Sequence, residues 1–128
     1  MKPIFVKKAW GCETWLVNEE EYCAKILEIN PGYQCSLHRH EIKKETFIVQ
    51  AGVVRLEQRG VRGEVIDEML VEGDSRTIMP KTPHRFSSHN GATILEVSTH
   101  HSDSDVVRYT DSGKISDANS QGTSRLPK

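Results

Sequence analysis

Short strand-like segments separated by turn residues restrict the possible fold of this chain more than any other feature. Eight segments of strand length are rich in β-branched and aromatic residues: AKILEI, CSLHRH, TFIVQ, VVRLEQ, EVIDEMLV, SRTIM, HRFSS and ATILEVST. Turn residues separate them, as in NPG at 30–32, EGD at 72–74 and HNGA at 89–92. No stretch before residue 100 keeps a helical period over three turns. The pattern therefore predicts an all-β antiparallel sandwich or small barrel.

Chain length and charge limit the number of domains and the kinds of partner. A chain of 128 residues is near the usual size of one compact domain. The formal charge of -1 gives no electrostatic sign of a nucleic-acid or membrane-surface partner. Lys7 and Lys8 interrupt the apolar residues of the N-terminus, so we expect no secretory signal or membrane span and a cytoplasmic location. The cysteines, three in number and without a CxxC pair, are predicted to be free thiols.

The composition changes towards the C-terminus. Residues 112–128 are dominated by Ser, Asp, Gly and Lys and contain almost nothing to bury. We therefore predict a barrel over residues 1–111 and a polar, mobile tail over residues 112–128.

Two histidines and a glutamate in the segment SLHRHEIKKET form the clearest chemical pattern. His38 and His40 share one face of a strand, because side chains on a strand alternate between its faces. Glu45 lies on the apolar face of the next predicted strand, and Gly32 and Gly52 bracket the three polar residues. If these faces line the inside of a barrel, both imidazoles and the carboxylate can converge on one ion in a concave pocket.

This spacing resembles the first motif of the cupin family. The second cupin motif is matched by Gly73, Pro80 and His84 in GDSRTIMPKTPHRF, although the turn PKTPH is shortened and lacks the usual glycine. The resemblance runs from Pro3 to Asp111 and implies a single-domain jelly-roll barrel, the double-stranded β-helix. It also implies four metal ligands: His38, His40, Glu45 and His84. Three imidazoles and a carboxylate suit one divalent transition metal, with manganese, zinc, iron, nickel and cobalt all compatible.

Two further segments narrow the resemblance. KKAWGCETW near the N-terminus and ILEVSTHHSDSDVVRYTD near the end are similar to small sugar-isomerase cupins, the relatives of D-lyxose isomerase and mannose-6-phosphate isomerase. This similarity implies an isomerase that interconverts an aldose and a ketose of a sugar or sugar phosphate through a metal-stabilised enediol. Glu96 and Lys25 are the candidates for the catalytic base. Lys44, Ser36 and Phe86 are expected to contact the substrate.

Two other functions are compatible with the same ligands. One is a metal-dependent dioxygenase, which needs a redox-active metal and oxygen. The other is a non-catalytic carbohydrate-binding cupin that uses the metal to stiffen its barrel. Whatever the function, exposed edge strands lead us to expect a homodimer.

The remaining polar residues are expected to have ordinary structural roles. At least one of Lys43 and Lys44 is expected in a solvated turn, and Cys35 is expected to be a small core thiol. The other histidines are expected to be surface or satisfied core residues: His89, His100 and His101.

Overall fold

The structure is a computed structural model that describes residues 2–115. Its thirteen strands are β1 (Ile4–Lys8), β2 (Gly11–Asn18), β3 (Cys23–Ile29), β4 (Tyr33–Gln34), β5 (His38–Arg39), β6 (Glu45–Gly52), β7 (Val54–Arg59), β8 (Val65–Leu70), β9 (Ser75–Ile78), β10 (His84–Ser88), β11 (Ala92–Ser98), β12 (Val107–Arg108) and β13 (Gly113–Lys114). Within these residues, no helix has the length and apolar character needed to cross a membrane.

The strands form two antiparallel sheets. The first sheet has the order β1-β2-β3-β11-β6-β9, and the second has the order β12-β5-β10-β4-β13, with β7 and β8 attached through β10. Strands that are distant in sequence are neighbours in both sheets, as β3 and β11 are. The predicted all-β, single-domain jelly-roll fold is confirmed.

The alternation of inward and outward side chains along the central strands explains the positions of both the core residues and the site residues. On β3, β6 and β11, every second side chain is buried between the sheets. Towards one end of the strands these buried residues are apolar, and they pack in one cluster with members of the second sheet: Leu27, Ile29, Phe47, Val49, Ile94, Leu56 and Phe86. Towards the other end the same inward positions hold Lys25, Glu45 and Glu96. The barrel therefore has an apolar floor and a polar end.

The barrel extends beyond residue 111. β13 pairs with β4, and Ile115 is buried. The predicted tail over residues 112–128 therefore starts too early, because a two-residue strand in a polar segment leaves no pattern in the sequence. The remainder of that prediction, residues 116–128, lies outside the described residues. The three cysteines are free thiols, as predicted.

Candidate metal centre

Three imidazoles converge at the polar end of the barrel. β5 and β10 are paired so that His38 lies opposite His84, and their ring centroids are 4.5 Å apart. His40 follows two residues after His38 and faces the same point. One nitrogen from each ring lies within 4.8 Å of the others, so the three residues, here called the histidine cluster, could hold a metal ion.

Each ring of the histidine cluster is oriented by a backbone carbonyl. The Nδ1 contacts are His38 to Ser36 O at 2.7 Å, His40 to Asp105 O at 3.0 Å and His84 to Thr82 O at 2.9 Å. A carbonyl oxygen can only accept a hydrogen bond, so each Nδ1 carries the proton and each Nε2 presents its lone pair. This arrangement, with the second ring nitrogen fixed by an outer partner, is the usual one for metal-ligating histidines.

Glu45 lies next to two rings of the histidine cluster. Its Oε2 lies 3.1 Å from His84 Nε2 and 3.4 Å from His40 Nε2. Glu45 Oε2 and His84 Nε2 are both buried without a hydrogen-bond partner in the described part of the chain. Because both atoms are acceptors, their close approach away from water is unfavourable unless a cation or a proton lies between them. Three imidazoles and one carboxylate fit a divalent transition metal.

The protonation states also suit metal binding. Burial lowers the pKa of His38 to about 3 and that of His40 to about 4, so both rings are neutral near pH 7. Burial opposes ionisation of Glu45, but the positive charge of the nearby Lys43 ammonium lowers its pKa below the usual range. Neutral imidazoles and an ionised carboxylate are the forms that bind metals.

Asp105 fixes the turn between His40 and Glu45. Its carboxylate accepts hydrogen bonds from the backbone N–H groups of Glu41, Ile42 and Lys43 at 2.9, 3.0 and 2.9 Å. Its own carbonyl orients His40. Asp105 thus positions both a ring of the histidine cluster and the loop that leads to Glu45. No ligand spacing in the sequence identifies this residue.

A cavity of about 110 Å³, here called the central cavity, opens beside the histidine cluster. Four residues predicted for catalysis or substrate contact line it: Lys25, Ser36, Phe86 and Glu96. Glu96 is buried, and burial together with the charge of Glu45 raises its pKa, although Lys43 and Lys25 oppose the rise. Lys25 Nζ lies 3.4 Å from Glu13 Oε1 and 4.4 Å from the Trp15 ring centroid. The cavity wall therefore carries both ammonium and carboxylate groups.

The structure gives no support to the substrate contact predicted for Lys44, because its side chain is exposed and does not line the central cavity. Lys43 lies there instead. Its Nζ is 3.1 Å from Glu96 Oε2 and 3.5 Å from Glu45 Oε1. Lys43 is two residues before Glu45 and points the same way. The alternation of side chains along β6, continued back to Lys43, would therefore have identified it.

His101 is a second residue that the sequence analysis missed. The sequence predicts a surface or satisfied core residue, but His101 lines the central cavity, and its Nδ1 is 3.3 Å from Lys43 Nζ. Its Nε2 is 2.8 Å from Asp103 Oδ1. His101 follows the end of β11, where no periodic pattern gives its direction. Cys35 also borders the cavity; it is buried with its pKa raised to about 12 by burial, which leaves the expected unreactive core thiol.

Comparisons with known proteins agree with this geometry. Residues 25–114 match the model of the cupin domain family. The chain is 32% identical, over 117 residues, to the D-lyxose/D-mannose isomerase of Thermosediminibacter oceani; the match covers 74% of this chain and 65% of that relative. The capsular polysaccharide assembling protein CapF of Staphylococcus aureus superposes with a TM-score of 0.76 at 16% identity, over 86% of this chain and 32% of CapF. Oxalate decarboxylase of Bacillus subtilis, a protein with Mn(II) centres, superposes with a TM-score of 0.75 at 19% identity, over 84% of this chain and 30% of the decarboxylase.

Proposed function

Because the chain belongs to the cupin domain family, we propose that it is a metal-dependent isomerase that interconverts the aldose and ketose forms of a sugar or sugar phosphate. The similarity to a D-lyxose/D-mannose isomerase supports the reaction class. The chain spans 65% of that relative, so the activity is a proposal for this protein. The observation that carries it is a buried carboxylate, Glu96, in the same cavity as the histidine cluster.

The histidine cluster and Glu45 would hold the metal. When bound, a divalent cation there polarises a carbonyl group and stabilises the negative charge that develops as the proton leaves carbon. Manganese, zinc, iron, nickel and cobalt all suit this donor set.

Glu96 is proposed to move the proton between the two carbons. Its carboxylate takes the proton from C2 of the aldose and returns it to C1, while a second proton passes from O2 to O1. Burial raises the pKa of Glu96 above its ordinary value, which brings this carboxyl group closer to the range useful for a general base and acid. Lys43 donates to Glu96 Oε2 and holds the carboxylate in place. Lys25 and Ser36 offer donors to substrate hydroxyl groups from the cavity wall.

The test is exchange of the C2 proton with solvent. We expect the metal-loaded protein, incubated with pentoses, hexoses and their phosphates in D₂O, to release the C2 proton and form the ketose, as followed by NMR. Glu96→Gln should lower the rate by at least about a hundredfold, since it removes a general base. Glu28→Gln, on the exposed face of β3, is the matched control and should leave the rate unchanged.

Each alternative function gives a different result in this experiment. Oxygen consumption with a redox-active metal, and no product under anaerobic conditions, would indicate a dioxygenase. Sugar binding without exchange under any of the five metals would indicate a carbohydrate-binding cupin. Either result would contradict the isomerase proposal.

We further propose that the protein is a homodimer that pairs through β1. β1 is the edge of the six-stranded sheet, and Ile4 and Phe5 on it are exposed. An exposed apolar edge strand is a favourable surface for pairing with a second copy. Light scattering should give twice the chain mass for the wild type and the chain mass for Phe5→Lys. A monomeric wild type would contradict the proposal.

A further inference from the structure

A second cavity lies on another part of the molecule. It has a volume of about 620 Å³ and is bordered by the turn between β7 and β8, the loop between β9 and β10, and Tyr109. Its charged lining residues are Arg39, Glu41, Arg59 and Lys81. We call this cavity the cationic groove and propose that it binds a small oxyanion, the phosphate or carboxylate group of a small molecule. This proposal does not depend on the isomerase function.

Arg59 carries the argument. It is only 8% exposed, and its Nη1 is buried without a hydrogen-bond partner in the described residues. Glu57, two residues earlier on the same face of β7, is already held by Arg85 through bonds of 3.0 and 3.2 Å. A buried guanidinium that lacks a carboxylate is costly, and such charges are normally paired. An oxyanion in the groove would supply the missing partner.

The other charged residues of the groove also leave positive charge in excess of negative charge. Arg39 is paired with Glu41 and donates to the Tyr109 hydroxyl. Lys81 is exposed and has no carboxylate partner within residues 2–115. Three cationic side chains therefore face one carboxylate, which leaves a lining charge of +2. Guanidinium groups bind carboxylate and phosphate through parallel hydrogen bonds, so this chemistry favours an anion with two or more terminal oxygens.

The walls of the groove are held in place before any ligand binds. The Arg59 N–H donates to Pro83 O at 2.9 Å and joins the two loops. Lys81 has a φ of 68°, a left-handed conformation that is unusual for a residue with a side chain, and its N–H donates to His40 O at 2.6 Å. A preformed site loses less conformational entropy when its ligand binds.

Titration of the ¹⁵N-labelled full chain with inorganic phosphate, at constant ionic strength with chloride as the reference anion, tests the proposal. We expect saturable amide shifts in residues 59–63 and in Lys81 and Thr82, since Pro80 and Pro83 have no amide proton. A parallel titration with acetate distinguishes a phosphate site from a general carboxylate site. Shifts confined to the central cavity, or a response to phosphate no greater than that to chloride, would overturn the proposal.

Variants locate the binding in the groove. Arg59→Gln should weaken phosphate binding at least about tenfold, since a hydrogen bond to a charged group is lost. Arg62→Gln, in the same turn but outside the groove lining, is the matched control and should bind as the wild type does. Lys81→Gln, an exposed substitution that does not disturb buried groups, should weaken binding by a smaller factor. If the Arg59→Gln and Lys81→Gln variants both bound phosphate as tightly as the wild type does, the proposed site would be wrong.

Discussion

Asp105 contributes to the candidate metal centre although it is not among the four proposed ligands. Its carboxylate satisfies three backbone N–H groups of the turn after His40, and its carbonyl holds the His40 ring. Groups of this kind orient metal ligands, and their loss weakens metal binding by about 10- to 100-fold. The geometry of the whole first motif therefore depends on a residue from a distant segment of the chain.

Asp105→Asn tests this role. The amide offers one acceptor oxygen in place of two and turns an NH₂ group towards backbone donors, so we expect the free energy of unfolding to fall by about 2 kcal/mol. Metal affinity, measured by calorimetric titration, should fall about tenfold or more. Asp67→Asn, which removes an exposed carboxylate bonded to Arg55, is the control. Equal metal affinity for Asp105→Asn and Asp67→Asn would contradict the role of Asp105.

The neighbours Lys43 and Lys44 form a matched pair for a second prediction. Lys43→Met removes the ammonium that bridges Glu45 and Glu96, so the two buried carboxylates lose their common partner. We expect kcat for isomerisation to fall by at least about a hundredfold. Lys44→Met alters only an exposed side chain and should keep wild-type kcat. If both variants lost activity equally, the position of Lys43 in the site would be wrong.

At single positions, the sequence predicts the ligands better than the residues around them. His38, His40 and His84 converge as the resemblance to the two cupin motifs implies, and strand alternation and strand pairing fix where they point. Asp105 and His101 lie in irregular segments after β11, where no period determines direction. Their positions follow from long-range contacts that only the folded chain displays.

At the level of the strands, the same alternation of inward and outward side chains positions the core residues and the site residues. Lys25 lies opposite Glu96 across the β3–β11 pair, and Glu45 lies opposite Ser98 across the β11–β6 pair. These polar residues occupy the inward positions that apolar residues occupy elsewhere on the same strands. The sequence predicts the strands well, since their turns and periods are local. The two-residue strands β4, β5, β12 and β13 are too short to show a period.

Gly32 and Gly52 give a prediction at the level of the turns between strands. Both have left-handed backbones, with φ of 81° and 82°. A Cβ at Gly52 would lie 2.4 Å from Gly91 O, whereas a Cβ at Gly32 would meet nothing within 4 Å. Gly32→Ala should therefore cost only about 1–2 kcal/mol of conformational strain. Gly52→Ala should cost at least about 1–3 kcal/mol more, because the β6–β11 contact must shift.

Denaturant unfolding of the two variants measures this difference. Similar losses of stability for Gly32→Ala and Gly52→Ala would mean that β6 and β11 do not approach as closely as the structure shows.

For the whole molecule, the candidate metal centre links the two sheets. His38 and His84 belong to the second sheet, while Glu45 belongs to the first. A cation held by all of them would stabilise the folded state and not the unfolded chain. At a free concentration 100 times its Kd, a single bound metal adds about 2.7 kcal/mol. Chelation with EDTA should therefore lower Tm, and addition of the divalent metal should restore it.

Direct measurement of metal binding is the most decisive test. Wild-type protein titrated with Mn²⁺ or Zn²⁺ should bind one cation per chain, and His84→Ala should lose that site. His89→Ala, an exposed histidine outside the cluster, should bind as the wild type does. One cation per chain in the wild type and none in His84→Ala is the result that the structure predicts. Equal binding by the wild type and His84→Ala, or no stoichiometric binding by the wild type, would contradict a metal centre built on the histidine cluster.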